Sequence, residues 1–138
     1  MSVRKNSQVE IATRFIDIVW NGSDATKIDD FISTDFVDHA YDPRDADGHK
    51  AMVTKLGSVL PDARWTIDRV VGMDDQVMVE LTLTGTHQGV FAGIAPHGNA
   101  IKVRGYRTFV FSDDKICAHH ALLDTHTLMQ QMSGTRVA

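Results

Sequence analysis

Histidine is the side chain best suited to carry protons near neutral pH or to ligate a metal, and the chain has seven, at positions 39, 49, 87, 97, 119, 120 and 126. A metal site would set them in HxH or HExxH patterns, or pair them with CxxC, and none of these occurs. His119 and His120 are adjacent in the strand-like stretch KICAHHALLD (115–124), where alternate side chains point to opposite faces, so the two cannot converge on one ion. No metal and no cofactor are expected. Cys117, the one cysteine, has no internal disulfide partner and reads as a small buried residue rather than a nucleophile. GTHQGVFAGIAPHG (85–98) carries four glycines, but a phosphate loop needs GxxxxGK[ST] or GxGxxG spacing leading into a helix. This stretch has neither and runs into a strand, so Gly85, Gly89, Gly93 and Gly98 are expected to allow positive φ in a long hairpin connection, with Phe91 and Ile94 tucked back on the sheet.

The elements that must position these groups follow from periodicity. Val9, Ala12, Ile16, Val19 and Trp20 repeat at helical spacing, with Ser7 and Glu10 as a capping box and Asn21-Gly22 as the stop. Ser23 caps a second, shorter helix through Lys27, Ile28, Phe31 and Ile32, and TDFVDHAYDPRDADG then reads as a loop around Phe36 and Val37. Met52, Val53, Leu56, Val59 and Leu60 predict a third helix, ended by Pro61. Strands follow at 64–73, where Trp65, Ile67, Arg69 and Val71 share a face, and across QVMVELTLTGTHQ, where Val77, Val79, Leu81 and Leu83 do. Two more are expected at 101–111 and 115–124, and THTLMQQM is a short helix capped by Asp124 or Thr125. Helices first and antiparallel strands later argue for a single α+β domain over residues 1–138.

Composition narrows the partners. Fourteen basic against 18 acidic residues leave a formal charge of −4 with no basic stripe, which speaks against nucleic acid. No apolar run is long enough to span a membrane, and MSVRKNSQVE lacks the apolar core of a secretory signal, so a cytoplasmic protein is expected.

GTHQGVFAGIAPHGNAIKVRG, followed by FVFSDDKICAHHALLDTHTLMQQMSG, resembles the SnoaL-like polyketide cyclase family, whose members share a loop GxFxGIxPxG and a tail DGKIxEHWxxxDxxxLLxQLG. FVDHAYDP is similar to another family segment. The resemblance implies the nuclear transport factor two-like, cystatin-like cone: a curved antiparallel sheet of about four main strands wrapped on three N-terminal helices around a deep apolar pocket. It further implies cofactor-free acid–base chemistry, ring closure or isomerisation, on a small apolar or aromatic enolisable molecule, and a homodimer formed through the sheet.

In the family's characterised cyclases an aspartate acts as general acid and base for aldol closure, two residues beyond a histidine of the last strand. That histidine matches His119, and the aspartate's position is Ala121. A second cyclase pocket residue, a histidine on the preceding strand, falls at Arg107. The family register turns Cys117, His119, Ala121 and Leu123 inward, with Val103, Gly105, Arg107 and Phe109 facing them. His119 as proton carrier and Arg107 as fixed charge could then polarise a carbonyl or steady an enolate; alternatively both are held by neighbours and do no chemistry. Asp124 matches the tail's aspartate, as catalyst or as helix cap. His39 belongs to the FVDH-like segment at a pocket rim, and Tyr41, Trp65, Phe91 and Phe109 are candidate walls for a flat ligand. A register slip of one residue would present His120, Asp124 and Arg104 instead. Loss of the acid at Ala121 leaves a non-catalytic small-molecule-binding or dimerisation domain as the alternative. Epoxide hydrolysis, as in limonene epoxide hydrolase relatives, would need an Asp-Arg-Asp set, and the last two strands offer no inward aspartate.

Overall fold

The computed structural model describes residues 3–134, with side chains from residue 7 onward. Helix α1 (Val3–Phe15) continues through a wider π turn (Ile16–Asn21), so that Phe15, Ile16, Val19 and Trp20 all stay buried. The helix starts upstream of Ser7, whose hydroxyl reaches Asp114 instead of capping it. A 3-10 turn (Ala25–Asp30) replaces the expected second helix; Asp24 caps it, accepting from the Thr26 amide.

The segment expected as helix end and loop is strand β1 (Ile32–Asp38). It lies at the sheet edge, paired on one side only, and leaves Thr34, Asp35 and Val37 exposed while Phe36 and Asp38 turn in. An edge strand with one wet face needs few apolar residues, which is why its sequence reads as polar. Helix α2 (Ala46–Val59) follows, capped by Asp45. Strands β2 (Arg64–Met73), β3 (Gln76–Thr86), β4 (Ala100–Ser112) and β5 (Lys115–Leu123) and helix α3 (Thr125–Met132) complete the order.

The five strands form one open curved sheet, β1-β5-β4-β3-β2, with β1 parallel to β5 and every other pair antiparallel. Its inner face carries Val79, Leu81, Leu83, Val103 and Phe109 against Phe15, Ile16, Val19 and Leu60, the apolar core. Two bulges reset the alternation. At Asp68 the pairing of β2 shifts, so Trp65 and Ile67 face in as expected, whereas Arg69 and Val71 end up exposed. At Cys117 the pairing of β5 shifts, so Ile116, not Cys117, is the buried residue. Beyond that bulge His119 is buried and His120 exposed, and Arg107 is buried between exposed Tyr106 and half-buried Thr108, which excludes the one-residue slip.

The glycine-rich stretch turns tightly at Ala92-Gly93, both at positive φ (49° and 78°), with Phe91 and Ile94 exchanging backbone hydrogen bonds. Gly98 also has positive φ, but Gly85 and Gly89 do not. Gly89 serves close approach: a Cβ there would lie 2.5 Å from the Ser58 carbonyl oxygen at the end of α2. Among the described residues no helix is long and apolar enough to cross a membrane.

Candidate active site

The parallel pairing of β1 with β5 places Asp38 directly beside His119, 81 positions away in sequence. Helix α2 brings His49 onto the same carboxylate. All three side chains are fully buried. Asp38 Oδ2 lies 2.7 Å from His49 Nδ1, Oδ1 lies 3.1 Å from His119 Nδ1, and Oδ1 also accepts from the Ala40 amide at 2.8 Å. Burial pushes the carboxyl up, but these bonds, led by those from His119 and His49, outweigh it and hold Asp38 well below the usual carboxylate range.

The remaining ring nitrogens have fixed roles. An indole can only donate, so Trp20 Nε1, 3.1 Å from His49 Nε2, makes that nitrogen an acceptor. A guanidinium can only donate, so Arg107 Nη1, 3.2 Å from His119 Nε2, does the same there. Each imidazole is therefore neutral, with its proton on Nδ1 and aimed at Asp38. Burial is the largest cause lowering both; the Arg107 charge adds to it, and His119 falls to about 3 despite its bond to Asp38. The result is a dry relay in which a carboxylate and a guanidinium are joined through the His119 ring.

Arg107 is 2% exposed, and its guanidinium carbon sits 4.0 Å from the Trp20 ring centroid and 4.5 Å from that of Trp65. The two indoles, themselves set edge to face at 71°, both lie within cation–π range of the guanidinium, an arrangement worth about 2 kcal/mol or more when desolvated. Nη1 also donates to the Tyr41 hydroxyl at 3.0 Å. Arg107, Tyr41 and Thr125 bring polar groups to the wall of a cavity of about 340 Å³, near the low end of the roughly 300–1,000 Å³ range of small-molecule sites. The rest of the wall is mainly apolar, including Trp65, Phe91, Leu123 and Leu128. Ala121 also lines it, paired directly across the sheet from Arg107.

Of the residues marked from sequence, Arg107, Tyr41, Trp65 and Phe91 meet at this cavity. His119 is behind it, under Arg107, with both ring nitrogens engaged. Phe109 lies deeper still, packed on His119 and Phe15 at 5.3 and 5.4 Å between ring centroids, and does not reach the cavity. Asp124 is exposed and outside the cavity: its two oxygens cap α3 through the Thr127 amide and hydroxyl, and those bonds lower its pKa. His39 also points away, because strand alternation that turns Asp38 inward turns its neighbour out; it stacks on His120 at 4.4 Å.

Asp38, His49 and Trp20 are the members of this buried cluster that sequence reasoning passed over. Asp38 was hidden by reading β1 as loop; as a strand, Phe36 and Asp38 share one face. His49 precedes Val53 by one helical turn, the spacing that marks the buried face of α2. Asp38, His49 and His119 each offer a ligand atom within 4.8 Å of the others, a set with the chemistry to hold a cation. Here these atoms bond to one another, the outer ring nitrogens are taken by Trp20 and Arg107, and the adjacent guanidinium charge opposes a second cation.

Fold, cavity and buried relay together define a small α+β cavity protein, and the comparisons specify which. Residues 10–132 match the SnoaL-like polyketide cyclase family, and the chain belongs to it. A solved structure from Jannaschia sp. CCS1, provisionally named a SnoaL-like polyketide cyclase, aligns with TM-score 0.87 at 20% identity, over 99% of this chain and 98% of its own. One from Acidithiobacillus ferrooxidans, provisionally named a polyketide cyclase, aligns at 0.81 and 25% identity over 99% and 100%. AclR of Streptomyces galilaeus, provisionally named a hydroxylase, aligns at 0.86 and 20% identity over 97% and 85%. Relatives with different assigned chemistries thus share this fold, and the fold does not select among them. No curated protein sequence matches the chain.

Proposed function

We propose that this protein is a cofactor-free catalyst of enolate chemistry, ring closure or isomerisation, on a small, largely apolar carbonyl compound. The observation that carries the reading is the Arg107–Tyr41 pair in the cavity wall. Tyr41 oxygen accepts from Arg107, so its own O–H is left to donate to a ligand's carbonyl oxygen. The guanidinium behind it steadies the negative charge that develops there as an enolate forms, in a site where little water screens it. Neither partner must reorganise during the reaction, because the two indoles and the His119–Asp38 relay already hold the cation. The cavity wall has no carboxylate and no free imidazole, so the chemistry rests on electrophilic stabilisation, with water carrying the α-proton.

Ala121 supports a second reading, a binding domain of the same fold, because it leaves the wall without the aspartate that the aldol cyclases use. Incubation with an anthraquinone bearing a β-keto ester chain, followed by chromatography and mass spectrometry, separates the two. Under the catalytic reading the protein accelerates closure and Tyr41→Phe loses about 10²–10³-fold of that rate while still binding. Binding without acceleration would leave the binding domain.

A further inference from the structure

We propose that the cavity takes its ligand as an anion, so that the substrate is an oxo acid: a flat apolar molecule carrying a ketone and, one or two bonds away, a carboxylate. The ketone rests on the enolate reading above. The carboxylate rests on separate observations.

The first is the company Arg107 keeps. Among the described residues its guanidinium donates only to the Tyr41 hydroxyl and to His119 Nε2, both uncharged. Asp38 accepts from His49, His119 and Ala40, and not from Arg107; the imidazole ring stands between the two charges. A cation that is 2% exposed, with no carboxylate on it, is costly unless something else supplies the acceptor.

The second is an excess of donors. The Nε of Arg107 and the Nε1 of Trp65 are buried without any hydrogen-bond partner. Nη2 of Arg107 and the Tyr41 proton likewise reach no described acceptor, and no carboxylate or carboxamide lines the cavity. A neutral ketone satisfies one such donor. A carboxylate accepts along the whole free Nε–Nη2 edge and balances the charge as well. Tyr41 occupies the Nη1 side of the same guanidinium, so ketone and carboxylate fit together when they are close on one molecule, as in a 2- or 3-oxo acid. The remaining apolar walls call for a flat hydrocarbon body and no second charge.

The test uses the wild-type chain with 2-naphthoate and its neutral isostere 2-naphthamide. Both of the chain's tryptophans line the cavity, so their fluorescence reports occupancy directly. Naphthoate is expected to bind about tenfold or more tightly than the amide, the scale of a charge-assisted bidentate contact. Arg107→Met is expected to abolish that preference, and Tyr41→Phe, which keeps the charge, to retain most of it. Equal or tighter binding of the amide by wild type overturns the anion proposal while leaving the enolate reading intact. Binding of neither probe also overturns the anion proposal, and the closure assay above then decides the enolate reading by itself. Should Arg107→Met not fold, the wild-type comparison of the two probes decides alone.

Discussion

At the residue scale, His119 is the hinge of the site although it never touches the cavity. It donates to a buried carboxylate through one nitrogen and accepts from a buried guanidinium through the other, so both charges depend on it. Its low pKa and its occupied lone pair make it a positioning residue: it fixes where Arg107 points and cannot itself take up a proton at neutral pH. His119→Ala would take one hydrogen bond from each buried charge, leaving Asp38 with only His49 and Ala40 and Arg107 with only Tyr41. Hydrogen bonds to charged groups are worth about 1.5–3 kcal/mol each, so losing these two is expected to cost about 3–6 kcal/mol in urea unfolding at pH 7. A loss below about 1 kcal/mol, the range of an exposed hydrogen-bonded histidine, would mean that the relay is not holding the charges.

At the scale of elements, legibility followed burial. Strands β3 and β4, covered on one face by helices and wet on the other, alternate cleanly, and their inward residues were readable from sequence. Strand β1 was not, since an edge strand with a solvated outer face buries only Phe36 and Asp38 fully, with Ile32 half-buried at its start. The bulges at Asp68 and Cys117 were also invisible, because a bulge changes pairing without any change in local composition. The glycines of 85–98 were read correctly as a connection, but for only one of their two uses. Gly89 lies against the end of α2, where the Gln88 and Gly89 amides both donate to the Val59 carbonyl, at 2.8 and 3.2 Å. A methyl group there collides with the Ser58 carbonyl oxygen, which is backbone and cannot rotate away. Gly89→Ala is expected to destabilise by about 1–3 kcal/mol, as overpacking does. Gly57, inside α2, meets nothing within 4 Å, so Gly57→Ala is expected to stabilise by about 0.5–1 kcal/mol. Denaturant unfolding of the two variants, opposite in sign for the same chemical change, checks that loop and helix end are seated on one another.

At the scale of the whole molecule, the site is a product of topology. Asp38 comes from the edge strand, His49 from a helix, and Arg107 and His119 from neighbouring central strands, so no local stretch of sequence contains the site. Arg107 and His119 could be placed by strand alternation and family register, whereas their link to Asp38 needed the parallel β1–β5 pairing, which links distant parts of the chain. This arrangement couples the cluster's protonation to folding. His49 and His119 have folded-state pKa values below the ordinary 6.5, so the unfolded chain takes up protons there before the native one does. Stability from these two groups is complete above about pH 6.5 and is lost as pH falls, for His119 down to about 3. While both imidazoles are charged in the unfolded chain and neutral in the native one, the expected slope is about 2.7 kcal/mol per pH unit, about 1.4 from each. Asp38, whose pKa is depressed, acts in the same direction lower down: its contribution is present above its ordinary value of 3.8 and fades below it. Urea unfolding from pH 8 to 4 is therefore expected to give a plateau above neutrality and a steep fall beginning near pH 6.5. If the free energy instead stayed level down to pH 4.5, where carboxylates begin to titrate, the two imidazoles would have to be accepting protons within the native fold, and the neutral relay behind Arg107 would be wrong.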